Sequence, residues 1–298
     1  MNHDILPANI ESGLVVVLRA LRPYLAQLVL IGGWVPYLYK RYGGIGEWTG
    51  HLSLTVEADV LVPRELPAES RPSIADALRG AGFHPEEGRF DVVWAGDPLR
   101  GERVEFLVPH SGTQRDISRA TSIRGQAGVA AWALDRLTIL QKNTSTIVVP
   151  TGMPEPDAQL FVRVPQLTAY LIQKAATFVN RLAVPDSGRQ KAAKDLLYIR
   201  DVLSAGDPVV AHVRAEIVEL ARADRDVGRL ARKGAQNLEG VVRGAMRSLI
   251  ADAAAMRQER EPANSRLATT AEMEGRLRDA IQLLHSTTPG QQMPRRGG

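Results

Sequence analysis

The chain has 298 residues, 44% of them hydrophobic and 23% charged, which is enough apolar material for one large domain or two lobes. It contains no cysteine, which excludes disulfides and thiolate metal sites and leaves a hard, oxygen-ligated ion as the natural metal. The formal net charge of +4 permits contact with a polyanion without demanding it. No apolar run approaches the ~20 residues that cross a membrane. The opening Met1-Asn2-His3-Asp4 lacks the basic-then-apolar pattern of a secretory signal, so a cytoplasmic protein is expected.

Ile10, Leu14, Val17 and Leu18 recur at helical spacing and predict an amphipathic helix over residues 7–22, ended by Pro23. Residues 28–31 are expected as the first core strand. Gly32-Gly33 follows, then a helix over 34–42 that tolerates Pro36 in its first turn. Two glycines between a strand and a helix let the backbone approach a phosphate where the helix N-terminus favours anions. Residues 43–50 read as a loop, with Trp48 as an anchor or as a platform for a base. A strand is predicted over 55–62. Side chains alternate along a strand, so Glu57 and Asp59 share a face, with Cα atoms roughly 6–7 Å apart. Paired carboxylates repel, and a fold tolerates them when a cation, most often divalent, sits between them. A solvated strand face is the alternative.

A helix is expected over 70–80, then strands over 90–95 and 103–108 joined by a turn-rich connection. The second of these strands carries Glu105 among apolar residues, and an acid there is costly to bury unless it is paired or binds metal. Residues 112–128 form a polar stretch with Arg115, Arg119 and Arg124. Short strands are predicted over 129–134, 146–149 and 159–164. From Pro165 the pattern turns helical, over 165–182, 188–203 (capped by Ser187), 209–223, 241–256 and 270–284. Lys174 lies on the apolar stripe of Leu167, Tyr170, Leu171 and Phe178, where it needs an anion or a snorkelling route. Arg181 lies two turns further along that face. The next helix carries Lys191, Lys194, Asp195 and Tyr198, and Lys191 with Asp195 is the expected pair at four-residue spacing.

Gly32-Gly33, Thr55-x-Glu57-x-Asp59, Glu105, and then Lys174, Arg181, Lys194 and Asp195 come in an order that resembles the nucleotidyltransferase superfamily. More closely, residues 28–203 resemble the AbiEii/MenT-type nucleotidyltransferase toxins of bacterial toxin–antitoxin systems. The resemblance implies an α+β (α/β) fold, in which a mixed sheet flanked by helices is followed by a C-terminal helical bundle. The residue pattern places the α/β lobe at 1–164 and a helical lobe at 165–285, which by the resemblance completes the active site; residues 286–298, polar with Pro, Gly and paired Arg, are expected as a disordered tail. The resemblance implies Mg²⁺-dependent transfer of a nucleotide from an NTP to a hydroxyl, most simply a tRNA 3′ end, so that translation stops, with an antitoxin protein as a possible partner. Glu57, Asp59 and Glu105 would bind metal, with Glu105 also eligible as general base. The Gly32 and Gly33 amides, Lys174, Arg181 and Lys194 would hold the nucleotide. Asp195 would orient Lys174 or help deprotonate the acceptor. The chain departs from the superfamily habit in having Glu rather than Asp at the first metal position, and in a longer connection from Gly33 to Glu57. A small-molecule nucleotidyltransferase and a non-catalytic nucleotide-binding protein of the same fold are the alternatives. No nucleophile elbow and no P-loop is present.

Overall fold

Apolar side chains three and four residues apart bury Leu14, Val17 and Leu18 on one face of α1 (Ala8–Ala20), and a 3-10 turn (Arg22–Tyr24) carries the chain past Pro23. The computed structural model describes residues 8–49, 52–53, 57–67, 71–100, 102–110, 120–244, 246–258 and 269–287. Two compact units divide the chain: Met1–Gly44 with Leu54–Gln166, and Ile45–Ser53 with Leu167–Gly298.

The first unit is built on a seven-stranded mixed sheet among the described residues. Its strands are β1 (Val29–Ile31), β2 (Ala58–Leu61), β3 (His84–Pro85), β4 (Val93–Ala95), β5 (Arg103–Pro109), β6 (Ala120–Ile123) and β7 (Gln126–Leu134). β1 runs antiparallel to β2, and β2 runs parallel to β5. The other edge of β5 is shared by antiparallel β4 over its first residues and parallel β7 over its last. β3 extends the sheet beyond β4, and β6 pairs with β7. β2 is buried at Ala58, Val60 and Leu61, and β5 at Val104, Phe106, Leu107 and Val108, as sheet-centre strands require. α2 (Trp34–Tyr42) and α3 (Ile74–Gly80) complete this layer. Tyr42 donates to Glu11, which ties α2 to α1; burial first and Glu11 second push the Tyr42 phenol up to about 12. α4 (Thr138–Lys142) leads into a separate hairpin of β8 (Thr144–Pro150) and β9 (Gln159–Pro165).

The second unit is helical. It contains α5 (Leu167–Arg181), α6 (Gly188–Leu203), α7 (Asp207–Ala223), α8 (Arg225–Arg243), α9 (Ser248–Gln258) and α10 (Thr270–His285). α5 packs on α6 and α8, and α10 closes over α6 and α8. At the α5–α8 crossing a Cβ on Gly234 would lie 2.8 Å from that of Ala175, so the glycine sets the helix spacing there. Asn237 Nδ2 donates to the Ala175 and Ala176 carbonyls at 3.1 Å each. Residues Ile45–Ser53 dock on this unit. The Thr49 N–H reaches the Ala205 carbonyl at 3.0 Å, and the Ser53 N–H reaches Asp201 at 2.6 Å. Trp48 is buried there, as a loop anchor would be. Asp201 also accepts from Arg200 at 2.9 Å, and Arg200 in turn donates to Glu272. Burial pushes the Asp201 carboxyl up against the opposing pull of Arg200 and the Ser53 N–H.

The mixed sheet with flanking helices and the helices that follow it are the architecture expected from the sequence. Several boundaries differ. The strand expected over 55–62 is observed over Ala58–Leu61, with Thr55 and Val56 outside the described residues. The strand expected from residue 90 begins at Val93, because Phe90 and Asp91 take positive φ in a turn. Pro165 closes β9 rather than opening a helix. Ser73, three residues inside the expected start, caps α3. The helix expected over 241–256 is the last turn of α8 followed by α9, split after Gly244 at φ +154°, and the rest of α8 had no expected counterpart. Arg115, Arg119 and residues 288–298 lie outside the described residues.

Asp201→Ala leaves Arg200 buried without the Asp201 carboxylate and takes away the acceptor of the Ser53 N–H. It should destabilise the protein by about 3–5 kcal/mol in denaturant unfolding. A loss below about 1 kcal/mol would show that the Ile45–Ser53 segment needs no such tether.

Candidate functional site

The sheet register places the acids. In the parallel β2–β5 ladder Asp59 stands opposite Glu105, and on the other side Ile31 at the end of β1 stands opposite Asp59. Glu57 comes just before β2, two residues from Asp59 and so on its face. Glu57, Asp59 and Glu105 each offer an oxygen within 4.8 Å of the others, and all three are half-buried. A small hard cation takes carboxylate oxygens at about 2.1 Å, so oxygens sharing one ion lie at most about 4.2 Å apart, and side-chain shifts of a few tenths of an ångström bring these three within that reach. The donor set is oxygen only, which suits Mg²⁺ or Mn²⁺ rather than a thiophilic metal.

Gly32 is held against this cluster. Its φ is +75°, and a Cβ there would overlap the Asp59 carboxylate. Glycine is therefore required at this position twice, by backbone conformation and by contact. Gly33 is the N-cap residue of α2 at φ −71°, with no side-chain cap, and its place at the start of a helix is what makes it relevant to an anion.

Arg103 lies two residues before Glu105 on β5. Its Nη1 is 2.8 Å from Glu57 Oε1, while Nε and Nη2 hold Glu86 Oε2 at 2.9 and 2.8 Å. Burial opposes the Arg103 cation, but the Glu86 hydrogen bond and the fields of Glu57, Glu86 and Glu105 outweigh it, and its pKa is raised. The sequence reading passed over Arg103, although strand alternation alone places it on the face of Glu105.

The helical unit holds a second cluster. Lys174 is 7% exposed, so the snorkelling route is closed; its Nζ lies 2.6 Å from Asp195 Oδ1. Arg181 Nε reaches the other Asp195 oxygen at 3.2 Å. The Lys174 ammonium also sits 5.6 Å from the Tyr170 ring centre and 5.2 Å from that of Tyr198, within cation–π range. Lys194, half-buried, lies 5.7 Å from the Tyr198 ring. Burial alone would raise the Asp195 carboxyl, but Lys174 and then Arg181 hold it below the ordinary carboxylate range. The expected Lys191–Asp195 pair is not formed. Lys191 is exposed, and both Asp195 oxygens are taken by Lys174 and Arg181 from α5.

A family profile described as Nucleotidyltransferase matches residues 13–216. No curated protein and no solved structure matches the chain.

Gly32→Ala should leave the helical unit folded while displacing Asp59; Mn²⁺ affinity should fall at least about tenfold, because one of three ligands moves. Unchanged Mn²⁺ affinity would separate the glycine from the acids. Asp195→Asn strands Lys174 in the core and should cost about 3–5 kcal/mol at pH 7. The sign of the pH effect follows from the lowered Asp195 pKa. The group stabilises fully above the ordinary Asp value of about 3.9, and that contribution is lost as pH falls through the lower folded value. The acid limb of wild-type unfolding should therefore be steeper than that of Asp195→Asn, and parallel limbs would contradict the assignment.

Proposed function

Because the chain belongs to the nucleotidyltransferase family, we propose that it transfers a nucleotide from an NTP to the 3′-terminal hydroxyl of a tRNA, as a translation-blocking toxin of the AbiEii/MenT type. The observation that carries the chemistry is the convergence of Glu57, Asp59 and Glu105 within 4.8 Å beside Gly32. Mg²⁺ held by these acids would supply charge neutralisation at the α-phosphate and on the departing pyrophosphate. The acceptor oxygen attacks the α-phosphorus, the bond from that phosphorus to the β-phosphate oxygen breaks, and pyrophosphate leaves. Glu105 takes the proton of the attacking hydroxyl. The Gly32 and Gly33 amides face phosphate oxygens at the start of α2.

Lys174, with Arg181 and Lys194 as further cations, is the group assigned to phosphate charge. Asp195 fixes the direction of its ammonium, a role that the 2.6 Å contact supports. The choice of a polyanionic acceptor rests on resemblance and on charge. The helical unit, counting residues 45–53 and 167–298, carries 21 Lys and Arg against 16 Asp and Glu, a net +5; the sheet unit carries 16 against 17, a net −1. Excess positive charge on one unit suits a phosphate backbone. An antitoxin protein is the partner this reading expects, in the cytoplasm.

Incubation with each labelled NTP, Mg²⁺ and total tRNA should label tRNA at its 3′ end. Asp59→Ala should reduce the label by a factor of at least about 10³, since charge stabilisation at the reacting phosphate is the largest catalytic contribution. Lys174→Ala should reduce it less. Label on a small alcohol, with tRNA ignored, would move the assignment to a small-molecule transferase. Transfer undiminished in Asp59→Ala would remove it altogether.

A further inference from the structure

We propose that Arg103 is the built-in counter-ion of the acid cluster: it holds Glu57 while no divalent cation is bound and gives Glu57 up, keeping only Glu86, when one arrives. The inference rests on the reading of Glu57, Asp59 and Glu105 as a metal site, and it adds a residue that controls how tightly and how selectively that site fills.

Three carboxylates whose oxygens approach within 4.8 Å repel one another strongly when nothing positive lies among them. The fold must carry that cluster before any ion binds. Arg103 is placed to relieve it. Its guanidinium is a planar fork with separate N–H edges. One edge spans 2.8 Å to Glu57, and the other holds Glu86 by two bonds of 2.9 and 2.8 Å to the same oxygen. Glu86 lies outside the cluster. It follows β3, its N–H bonds to the Val93 carbonyl, and Val93 is the residue paired with Glu105. Arg103 therefore has one anchor that survives ion binding and one that competes with it.

The side chains are placed for such an exchange. Arg103 is 34% exposed and Glu57 26%, so neither is locked in the core, and rotation of the Glu57 side chain can open their contact while the two Arg103–Glu86 bonds stay in place. An arriving divalent cation meets a site where one Glu57 oxygen is already engaged by a positive group. Binding must break that contact and overcome the repulsion of a nearby cation. A guanidinium so placed lowers affinity for any cation at the site, and a divalent ion bound to a triphosphate, which brings its own negative charge, suffers less repulsion than a free ion. Arg103 thus favours filling of the site by the metal–nucleotide complex over filling by metal alone.

The test uses the full-length protein and Mn²⁺ without nucleotide, with free Mn²⁺ read by electron paramagnetic resonance and unfolding followed in parallel. Arg103→Gln should bind Mn²⁺ about three- to tenfold more tightly than wild type, and its melting temperature without metal should fall. Glu86→Gln removes the second anchor, leaves Arg103 on Glu57 alone, and should weaken Mn²⁺ binding about two- to fivefold. Weaker binding by Arg103→Gln would show that the arginine positions Glu57 for the metal, and equal binding would make it a bystander; either result overturns the proposal. The reading beneath it is checked separately. If wild type binds no Mn²⁺, or Asp59→Asn binds it as well as wild type does, the metal site itself fails, whatever Arg103 does.

Discussion

The arrangement depends on like charges brought together against their repulsion. Parallel pairing of β2 with β5 sets Asp59 opposite Glu105, and the two-residue period of the strand brings Glu57 to the same face. No local preference of the chain favours that grouping. It is held by the buried strand residues on the opposite faces, among them Ala58, Val60, Val104 and Phe106. A shift of one residue in register would expose those residues and bury the acids, so the hydrophobic pattern that stabilises the sheet also fixes the position of the site. Gly32 belongs to the same constraint, since the Asp59 carboxylate occupies the space a larger residue would need.

The helical unit shows the converse arrangement. There buried opposite charges are matched: Asp195 takes Lys174 on one oxygen and Arg181 on the other, and Arg200 lies between Asp201 and Glu272. Buried charges of this kind are tolerable only when each has its partners. The two clusters do different work. Arg200 and Asp201 secure the segment from Ile45 to Ser53, which in sequence immediately precedes the stretch carrying Glu57 and Asp59. Lys174 and Asp195 form a directed ammonium in a setting of two tyrosine rings.

Features with a short period in the sequence could be read from it. Alternation gave Glu57 and Asp59 one face, the glycine pair marked the turn into α2, and the apolar stripe of α5 showed that Lys174 would need an anion or a route to solvent. Features that depend on distant partners could not be read. Nothing local says that β2 pairs in parallel with β5, or that Glu86, from another strand connection, would take one edge of Arg103. The local rule proposed Lys191 for Asp195, and the neighbouring helix supplied Lys174 and Arg181 instead. α8 is the exception, because its pattern was legible and was not used: Val227, Leu230, Ala231, Leu238, Val241 and Val242 recur at helical spacing, and Gly234 on the same face allows close approach to α5.

The central claim, that three acids form one site for a metal-bound nucleotide, is tested most directly by a crystal structure with Mn²⁺ and a non-hydrolysable NTP, using the anomalous signal of manganese. The account predicts an anomalous peak at about 2.1–2.3 Å from oxygens of Glu57, Asp59 and Glu105, with the triphosphate beside Gly32. A peak elsewhere, or a nucleotide seated away from these acids, would contradict it.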